Sequence, residues 1–284
     1  MTTETSTRIK SFVDGFWPIP FSFDPTQEVE SQIASHHALL QRTFGEAAFG
    51  EFKESLDTYL ASPSEDTHQD LSDMMLKHNM NEALPEIYER SKLCLRHLLQ
   101  TLEDSPPERS IDLGSGDGRI PIGLATYFPS IKRIYAVDLS PYAKDCLEKN
   151  IGVHAPAVQD DLRKAIIPVE KDYEDEEVIR RIQEENQGLF DVVITCNPLL
   201  AGSAIRSAGS LLSRKGKFLC YTALQLQLDG EMDLSPCGLQ QIEEEYWSGI
   251  EEYAEEFNLR LTKWDSWAGN AQQITIFSCM ERYS

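Results

Sequence analysis

The segment Ser110-Ile-Asp-Leu-Gly-Ser-Gly-Asp-Gly-Arg119 joins an apolar strand to three alternating glycines, and a helical pattern follows. Gly114, Gly116 and Gly118 allow the backbone to turn sharply after the strand and to approach a ligand closely, because a Cβ atom would obstruct both. This order of elements predicts a nucleoside cofactor site, with Ser115 among the contacts of the loop.

A second apolar segment, Tyr135-Ala-Val-Asp-Leu139, ends in a carboxylate. In α/β folds an acid at the end of the second strand, about 20 residues after the glycine loop, binds the ribose hydroxyls of the cofactor. We therefore predict that Asp138 is the second cofactor anchor, with Leu139 beside it.

The spacing of the glycines separates two cofactor classes that share this geometry. A dinucleotide-binding loop reads G-x-G-x-x-G and presents its amides to a pyrophosphate. This loop reads G-x-G-x-G, with Asp112 before it and Asp117 inside it. Two carboxylates would repel phosphate and favour the cationic sulfonium and ammonium groups of S-adenosylmethionine. Hydride transfer with a nicotinamide cofactor is disfavoured for the same reason.

The stretch Asp112-Leu-Gly-Ser-Gly-Asp-Gly118 resembles the first motif of the class I S-adenosylmethionine-dependent methyltransferases. This resemblance implies a Rossmann-like α/β fold with a mostly parallel seven-stranded sheet that ends in a C-terminal antiparallel hairpin. The alternation of strand, turn and helix after residue 110 agrees with that fold. We predict strands at 110–113, 133–137, 156–159, 190–195, 216–222, 260–267 and 272–280.

The residues before the glycine loop show helical patterns without strands. We predict an N-terminal helical extension, or lid, over residues 1–83 and a methyltransferase domain over residues 84–284. Helices are expected at 28–44, 47–60, 71–78 and 84–102, after an aromatic and proline-rich arm at 12–23. Two acidic runs, at 170–185 and 240–257, are expected to form a solvated helix and an amphipathic helix.

A third cofactor contact is expected after the third predicted strand, in Val158-Gln-Asp-Asp-Leu162. By resemblance to the family, an acid at this place accepts a hydrogen bond from the adenine amine. Asp161 is the better match and Asp160 is the alternative. Either residue could instead cap the following helix.

The fourth predicted strand stops at a motif, Cys196-Asn-Pro-Leu-Leu200. This motif resembles the Asn-Pro-Pro-Tyr motif of amino methyltransferases, in which the Asn oxygen and a motif carbonyl orient the target nitrogen. The resemblance implies that Asn197 and Pro198 are the catalytic residues, and that Asn197 also lies against the cofactor. Leu199 and Leu200 depart from the motif, and an aliphatic side chain provides no π face for a planar acceptor.

The acceptor is inferred from the surroundings of that motif. We expect Trp17, Tyr221 and Trp267 to bind an amine beside Leu199 and Leu200, although these aromatics could instead dock the extension onto the sheet. The leading hypothesis is N-methylation of a small molecule, with oxygen acceptors left open. The alternatives are a protein glutamine or amide N-methyltransferase and a non-catalytic module that binds S-adenosylmethionine.

Composition restricts the partners and the cellular compartment that can be expected. The formal net charge is −21, from 26 basic and 47 acidic residues, and the sequence has no Lys/Arg-rich stretch. Both features argue against nucleic acid as a partner. The sequence contains neither an apolar run of membrane-spanning length nor a signal peptide, so we expect a cytoplasmic protein without a membrane partner. Six scattered cysteines predict free thiols and no metal site. The oligomeric state cannot be deduced.

Overall fold

The computed structural model describes residues 3–16, 29–62, 64–80, 85–196, 201–225, 250–268 and 273–283. The described residues before the sheet are mostly helical, as predicted for most of them. The helices are α1 (Thr3–Phe16), α2 (Val29–Phe44), α3 (Glu46–Ala61), α4 (Glu65–Lys77) and α5 (Pro85–Leu102). The sequence analysis missed α1, although its buried Ile9 and Val13 are four residues apart and share one face of the helix.

The described strands form one mixed sheet. They are β1 (Arg109–Leu113), β2 (Arg133–Asp138), β3 (Ile166–Glu170), β4 (Phe190–Cys196), β5 (Leu212–Gln225), β6 (Leu259–Ala268) and β7 (Gln273–Arg282). Their order is β3-β2-β1-β4-β5-β7-β6. The first five strands run parallel, and β7 pairs antiparallel with both β5 and β6. The predicted Rossmann-like sheet with its C-terminal antiparallel hairpin is therefore confirmed.

Helices cover both faces of the sheet. They are α6 (Arg119–Tyr127), α7 (Ala143–Gly152), α8 (Pro156–Ala165), α9 (Glu176–Glu185) and α10 (Ala201–Leu211), and residues 250–256 are also helical. Alternate strand residues face opposite sides, so β1 sends Ile111 and Leu113 into the core that contains α9 and α10. The opposite core contains α1, α5 and α6. The side chain of Asp112 lies on the face of the sheet that carries the core with α1, α5 and α6.

The third strand lies later in the chain than predicted. Residues 156–159 begin helix α8, because Pro156 stands at the first helical position, where its fixed φ and missing N–H are well tolerated. The strand is formed instead by Ile166-Ile-Pro-Val-Glu170. β3 is an edge strand that pairs only with β2, which is where a proline such as Pro168 is accepted in a sheet.

The helices α2, α3 and α4 have a small core of their own. Leu40, Phe52 and Met75 are buried together in it. On the sheet side of α4, Leu76 packs against Ala143 and Cys146, which belong to α7. The extension therefore rests on the helix that follows the second strand, at the edge of the sheet where the glycine loop lies.

The contact between α4 and α7 is tested by Leu76→Ala. Leu76 is 5% exposed, so truncation should lower the free energy of unfolding by about 2 kcal/mol or more, through lost burial and a residual cavity. Leu60→Ala is the matched control, because Leu60 is 62% exposed and its truncation should change stability by no more than about 0.5 kcal/mol. Urea denaturation measures both, and equal losses would contradict this role of Leu76.

Candidate active site

The glycine loop between β1 and α6 is held by a few backbone hydrogen bonds. Gly114, Gly116 and Gly118 have φ values of +77°, +54° and +75°, a region that residues with a Cβ rarely adopt. The amides of Gly114 and Ser115 donate to the carbonyl oxygen of Val137 at 2.8 and 3.0 Å. The positive φ values explain why glycine is needed at these positions. The two hydrogen bonds to Val137 hold the loop against the end of β2.

Asp138, at the end of β2, ties the loop a second time. Its Oδ2 accepts a hydrogen bond from the amide of Gly116 at 2.7 Å, and its Oδ1 accepts one from Ser140 at 2.9 Å. Burial is the main reason that the pKa of Asp138 is raised, and these two backbone donors oppose the effect. Each carboxylate oxygen can accept a further hydrogen bond, so Asp138 retains capacity for the ribose contact predicted from the sequence.

Asp112 is the least satisfied group of the site. Its side chain is 1% exposed, and its Oδ1 has no hydrogen-bond partner among the described residues. Burial, and then the charges of Asp138 and Asp117, raise the pKa of Asp112 to about 8. A buried carboxylate without a partner is costly, and a cation placed beside it would remove that cost.

Asp117 differs from Asp112 although both carboxylates flank the same glycines. Its Oδ2 lies 2.9 Å from Nε of Arg119, and its Oδ1 accepts a hydrogen bond from the Arg119 amide at 3.1 Å. The charge of Asp117 is therefore already compensated within the loop. Of these two acids, the sequence analysis predicts only Asp112 as a cofactor contact, and Asp112 is the one whose Oδ1 is buried without a partner among the described residues.

A cavity of about 450 Å³ opens beside the loop. Its walls include the glycine loop, Asp112, Asp138 and Leu139, together with Tyr221 of β5. The exposed Leu139 and the buried Tyr221 thus lie where the sequence analysis expected cofactor and acceptor contacts. The cavity gathers the carboxyl ends of neighbouring parallel strands, which is the usual ligand position in sheets of this kind.

Helix α4 supplies the opposite wall of the cavity. Asp66, His68, Gln69, Ser72 and Met75 line it. Burial lowers the pKa of His68, so its ring is neutral near pH 7, and its Nδ1 has no partner among the described residues. The sequence analysis placed a lid in this region without naming these residues, because no local pattern shows which face of α4 meets the loop.

Asp160 and Asp161 are not part of the site, which corrects the prediction made for the adenine contact. Both lie on α8, where Asp161 is 83% exposed and pairs with Lys164 at 3.5 Å. The error follows from the misplaced third strand. The residues after the actual β3 that line the cavity are Asp172, Tyr173 and Glu174, and Asp172 Oδ1 accepts a hydrogen bond from the Glu174 amide at 2.8 Å.

Several predicted residues fall outside the described part of the chain. They are Trp17, Asn197, Pro198, Leu199 and Leu200. The backbone of Trp267 lies in β6 opposite Thr275, but its side chain is likewise outside the described residues. Cys196, the last described residue of β4 before Asn197, lines the cavity. Among the described residues, no group of three metal-ligating side chains is placed to hold a metal ion.

The fold is shared with solved methyltransferase structures. No protein-family model and no curated protein matches the sequence. The structure is similar to the N-methyltransferase NodS from Bradyrhizobium japonicum WM9 in complex with S-adenosylhomocysteine, with a TM-score of 0.50 and 13% identity, over 75% of this chain and 97% of that one. The chain therefore has the Rossmann-like methyltransferase fold.

Two further matches concern tRNA. One is the M. jannaschii tRNA m1G37 methyltransferase, with a TM-score of 0.47 and 17% identity, over 69% of this chain and 50% of that one. The other is aTrm5 in complex with tRNALeu, with a TM-score of 0.46 and 18% identity, over 68% and 46%. The chain thus spans about half the length of these two proteins.

The exclusion of nucleic acid as a partner was wrong and is withdrawn. It rested on the net charge and on the lack of a Lys/Arg-rich stretch in the sequence, whereas these structures belong to proteins that act on or bind tRNA. Net charge describes the average surface, whereas nucleic-acid binding depends on where basic groups lie. As for membranes, none of the helices in the described part of the chain is both long and apolar enough to cross one.

The packing of the glycine loop is tested by Gly118→Ala. An added Cβ would lie 2.2 Å from Cδ1 of Leu147, at a φ of +75°, so both a clash and backbone strain oppose the change. We expect a loss of about 2–4 kcal/mol in the free energy of unfolding. Gly116→Ala is the matched control, because it has positive φ but no atom within 4 Å of the new Cβ, and it should cost only about 1–2 kcal/mol. Denaturation curves that coincide would show that Leu147 does not limit the loop.

Proposed function

We propose that this chain is a methyltransferase that uses S-adenosylmethionine and transfers its methyl group to the nitrogen of a small amine. The observation that carries the proposal is the buried carboxylate of Asp112, whose Oδ1 has no partner among the described residues, beside a loop of three left-handed glycines. When bound, S-adenosylmethionine supplies a methyl group on a cationic sulfur. The fold shared with NodS supports the same cofactor.

The charge of the cavity favours a cationic cofactor. Asp66, Asp138, Asp172 and Glu174 line it, and Asp112 adds a further negative charge when it ionises. Its one arginine among the described lining residues, Arg119, already pairs with Asp117. A cavity walled by one sign of charge attracts ligands of the opposite sign, so a sulfonium or an ammonium group is stabilised there, whereas a pyrophosphate is repelled. The residues present thus fit S-adenosylmethionine.

We assign the cofactor contacts by position. The orphaned Oδ1 of Asp112 would accept a hydrogen bond from the cofactor ammonium, and Asp138 would accept hydrogen bonds from the ribose hydroxyls. Asp172, directly after β3, takes the place that the sequence analysis gave to Asp161. Gly114, Ser115 and Gly116 would allow close approach of the backbone, and Leu139 would cover an apolar surface of the ligand.

We assign the orientation of the acceptor nitrogen to Asn197 and Pro198. They follow Cys196, and β4 lies beside β1 in the sheet, so the chain leaves β4 at the same edge as the glycine loop. The Asn197 side-chain oxygen and the Pro198 carbonyl would accept hydrogen bonds from the nitrogen and orient its lone pair. Such placement is the main requirement of the reaction, because the methyl group is already bonded to a good leaving group.

The size and charge of the cavity favour a small amine as the acceptor. The same cavity of about 450 Å³ would also hold S-adenosylmethionine, so only a small part of it remains for the acceptor. Asp66, His68, Gln69 and Ser72 of α4 offer polar contacts at the wall opposite the loop, which gives the extension a role in acceptor binding. Protein amides, RNA and the absence of any acceptor are the other outcomes of the test below.

The role of Asp112 predicts proton release on cofactor binding. With a pKa of about 8, its carboxyl group is mostly protonated at pH 7, and a neighbouring cation lowers that pKa, so binding expels a proton. Affinity should therefore rise with pH between about 6 and 7.5. Calorimetry at pH 7 in buffers of different ionisation enthalpy should show release of nearly one proton. Asp112→Asn should release almost none, and equal release from both proteins would contradict this assignment.

Two further variants should separate the effect on cofactor binding from the effect on turnover. Asp138→Ala should weaken S-adenosylmethionine binding by roughly 10- to 100-fold, because it removes charge-assisted hydrogen bonds. Asn197→Ala should spare binding and lower turnover by roughly 100-fold, because it misplaces the acceptor. The exposed Asp161→Ala is the matched control and should change neither.

The assay is radiolabelled methyl transfer to small amines, amino acids, total protein and tRNA, with calorimetry for the cofactor. Labelled small amines would support the proposal. Label in protein or tRNA would replace the acceptor class and keep the cofactor assignment. Binding of S-adenosylmethionine without label in any fraction would favour a non-catalytic module. Equal loss of cofactor affinity in Asp138→Ala and Asn197→Ala would remove the separate roles of the two residues.

A further inference from the structure

Two cysteines meet at the wall of the cavity. The Sγ atom of Cys94, on α5, lies 2.9 Å from the Sγ atom of Cys196, at the end of β4. Cys94 is 1% exposed, Cys196 is partly buried, and both line the cavity. They are 102 residues apart in the sequence, so the contact is made by the fold and not by local chain geometry.

We propose that Cys94 and Cys196 are a disulfide-forming modification site, oxidised by a hydroperoxide that enters the cavity, and that the bond ties α5 to the end of β4. Nothing in the proposed methyl transfer uses either thiol. The site therefore stands apart from the cofactor assignment and is tested without a cofactor or an acceptor.

The geometry favours this pair over a pair that includes Cys220. A disulfide has an S–S length of about 2.05 Å, so the two sulfur atoms must approach by only about 0.9 Å from their 2.9 Å separation. Cys94 and Cys196 belong to the same core on one face of the sheet, whereas Cys220 belongs to the core on the opposite face. The sheet thus separates Cys220 from the pair although it lies on the neighbouring strand.

The oxidation balances with one hydroperoxide. One cysteine, as its thiolate, attacks a peroxide oxygen, the O–O bond breaks, and a sulfenic acid and hydroxide are formed. The sulfur of the second cysteine then attacks the sulfenic sulfur, the S–O bond breaks, the S–S bond forms, and water leaves. With hydrogen peroxide, two thiols become one disulfide and two water molecules are produced. A thiol reductant reverses the reaction by disulfide exchange.

The surroundings of Cys196 disfavour its thiolate. The hydrogen bond with Cys94, and then burial, raise the pKa of Cys196 well above its ordinary value. Since the thiolate is the reactive form, the first step is slow at neutral pH in the absence of oxidant stress. The contact holds the second thiol close to the first, so a sulfenic acid formed on either sulfur is captured before further oxidation.

The test uses the reduced full-length chain. Hydrogen peroxide is added and then removed, the remaining thiols are alkylated, and peptides are mapped by mass spectrometry. We expect an intact mass lower by two hydrogen atoms before alkylation, a linked pair of peptides that contain Cys94 and Cys196, and complete reversal by dithiothreitol. Cys94→Ser and Cys196→Ser should each abolish the link, and Cys220→Ser should retain it.

Three results would overturn the proposal. The first is a link from Cys94 or Cys196 to a different cysteine. The second is sulfinic acid on either residue without a link, and the third is an unmodified pair after other cysteines have reacted. Oxidation of the urea-unfolded chain is the control, because the same link at equal yield there would show that the folded contact does not select it.

Discussion

The buried carboxylate of Asp112 is the constraint around which the site is organised. Asp112 is 1% exposed and one of its oxygens lacks a partner among the described residues, so its ionised form is disfavoured. Burial, and then the charges of Asp138 and Asp117, raise its pKa to about 8. The surrounding loop does little to compensate it, since the amides of Gly114 and Ser115 donate to Val137 and the Gly116 amide donates to Asp138. A cation bound beside such a carboxyl group stabilises its ionised form, and the proposed cofactor carries two cationic groups, the sulfonium and the ammonium.

The N-terminal extension is coupled to this carboxylate through the shape of the cavity. Helix α4 places Asp66, His68 and Ser72 on the wall opposite the glycine loop, while Leu76 fixes the same helix to α7. Because α2, α3 and α4 bury a small core of their own, the wall formed by α4 belongs to a separately packed layer. Acceptor selection and cofactor binding can therefore reside in different layers that meet at one cavity.

The sequence was sufficient where function leaves a local signal. Alternating glycines and short apolar strands predicted the loop, the parallel sheet and the position of Asp138 at the end of β2, because those patterns follow directly from backbone requirements. It was misleading at β3. Pro168 made the segment 166–170 unlike a strand, and Asp160 and Asp161 stood directly after the strand that was predicted at 156–159 instead. It could not show that Arg119 compensates Asp117 and leaves Asp112 uncompensated, because that pairing is made only in the folded chain. The same limit applies to Cys94 and Cys196, whose contact has no local pattern.

Electrostatics connects Asp112 with the cysteine pair. The charge of Asp112 is among the influences that raise the pKa of Cys196, since a second negative charge is disfavoured near the first. Asp112 is mostly protonated at pH 7 and ionises when a cation binds beside it, so the new carboxylate and the cation offset each other and leave the ionisation of the thiol little changed. The bound ligand would, however, occupy the cavity through which a hydroperoxide must enter. We therefore expect an occupied cavity to protect the pair.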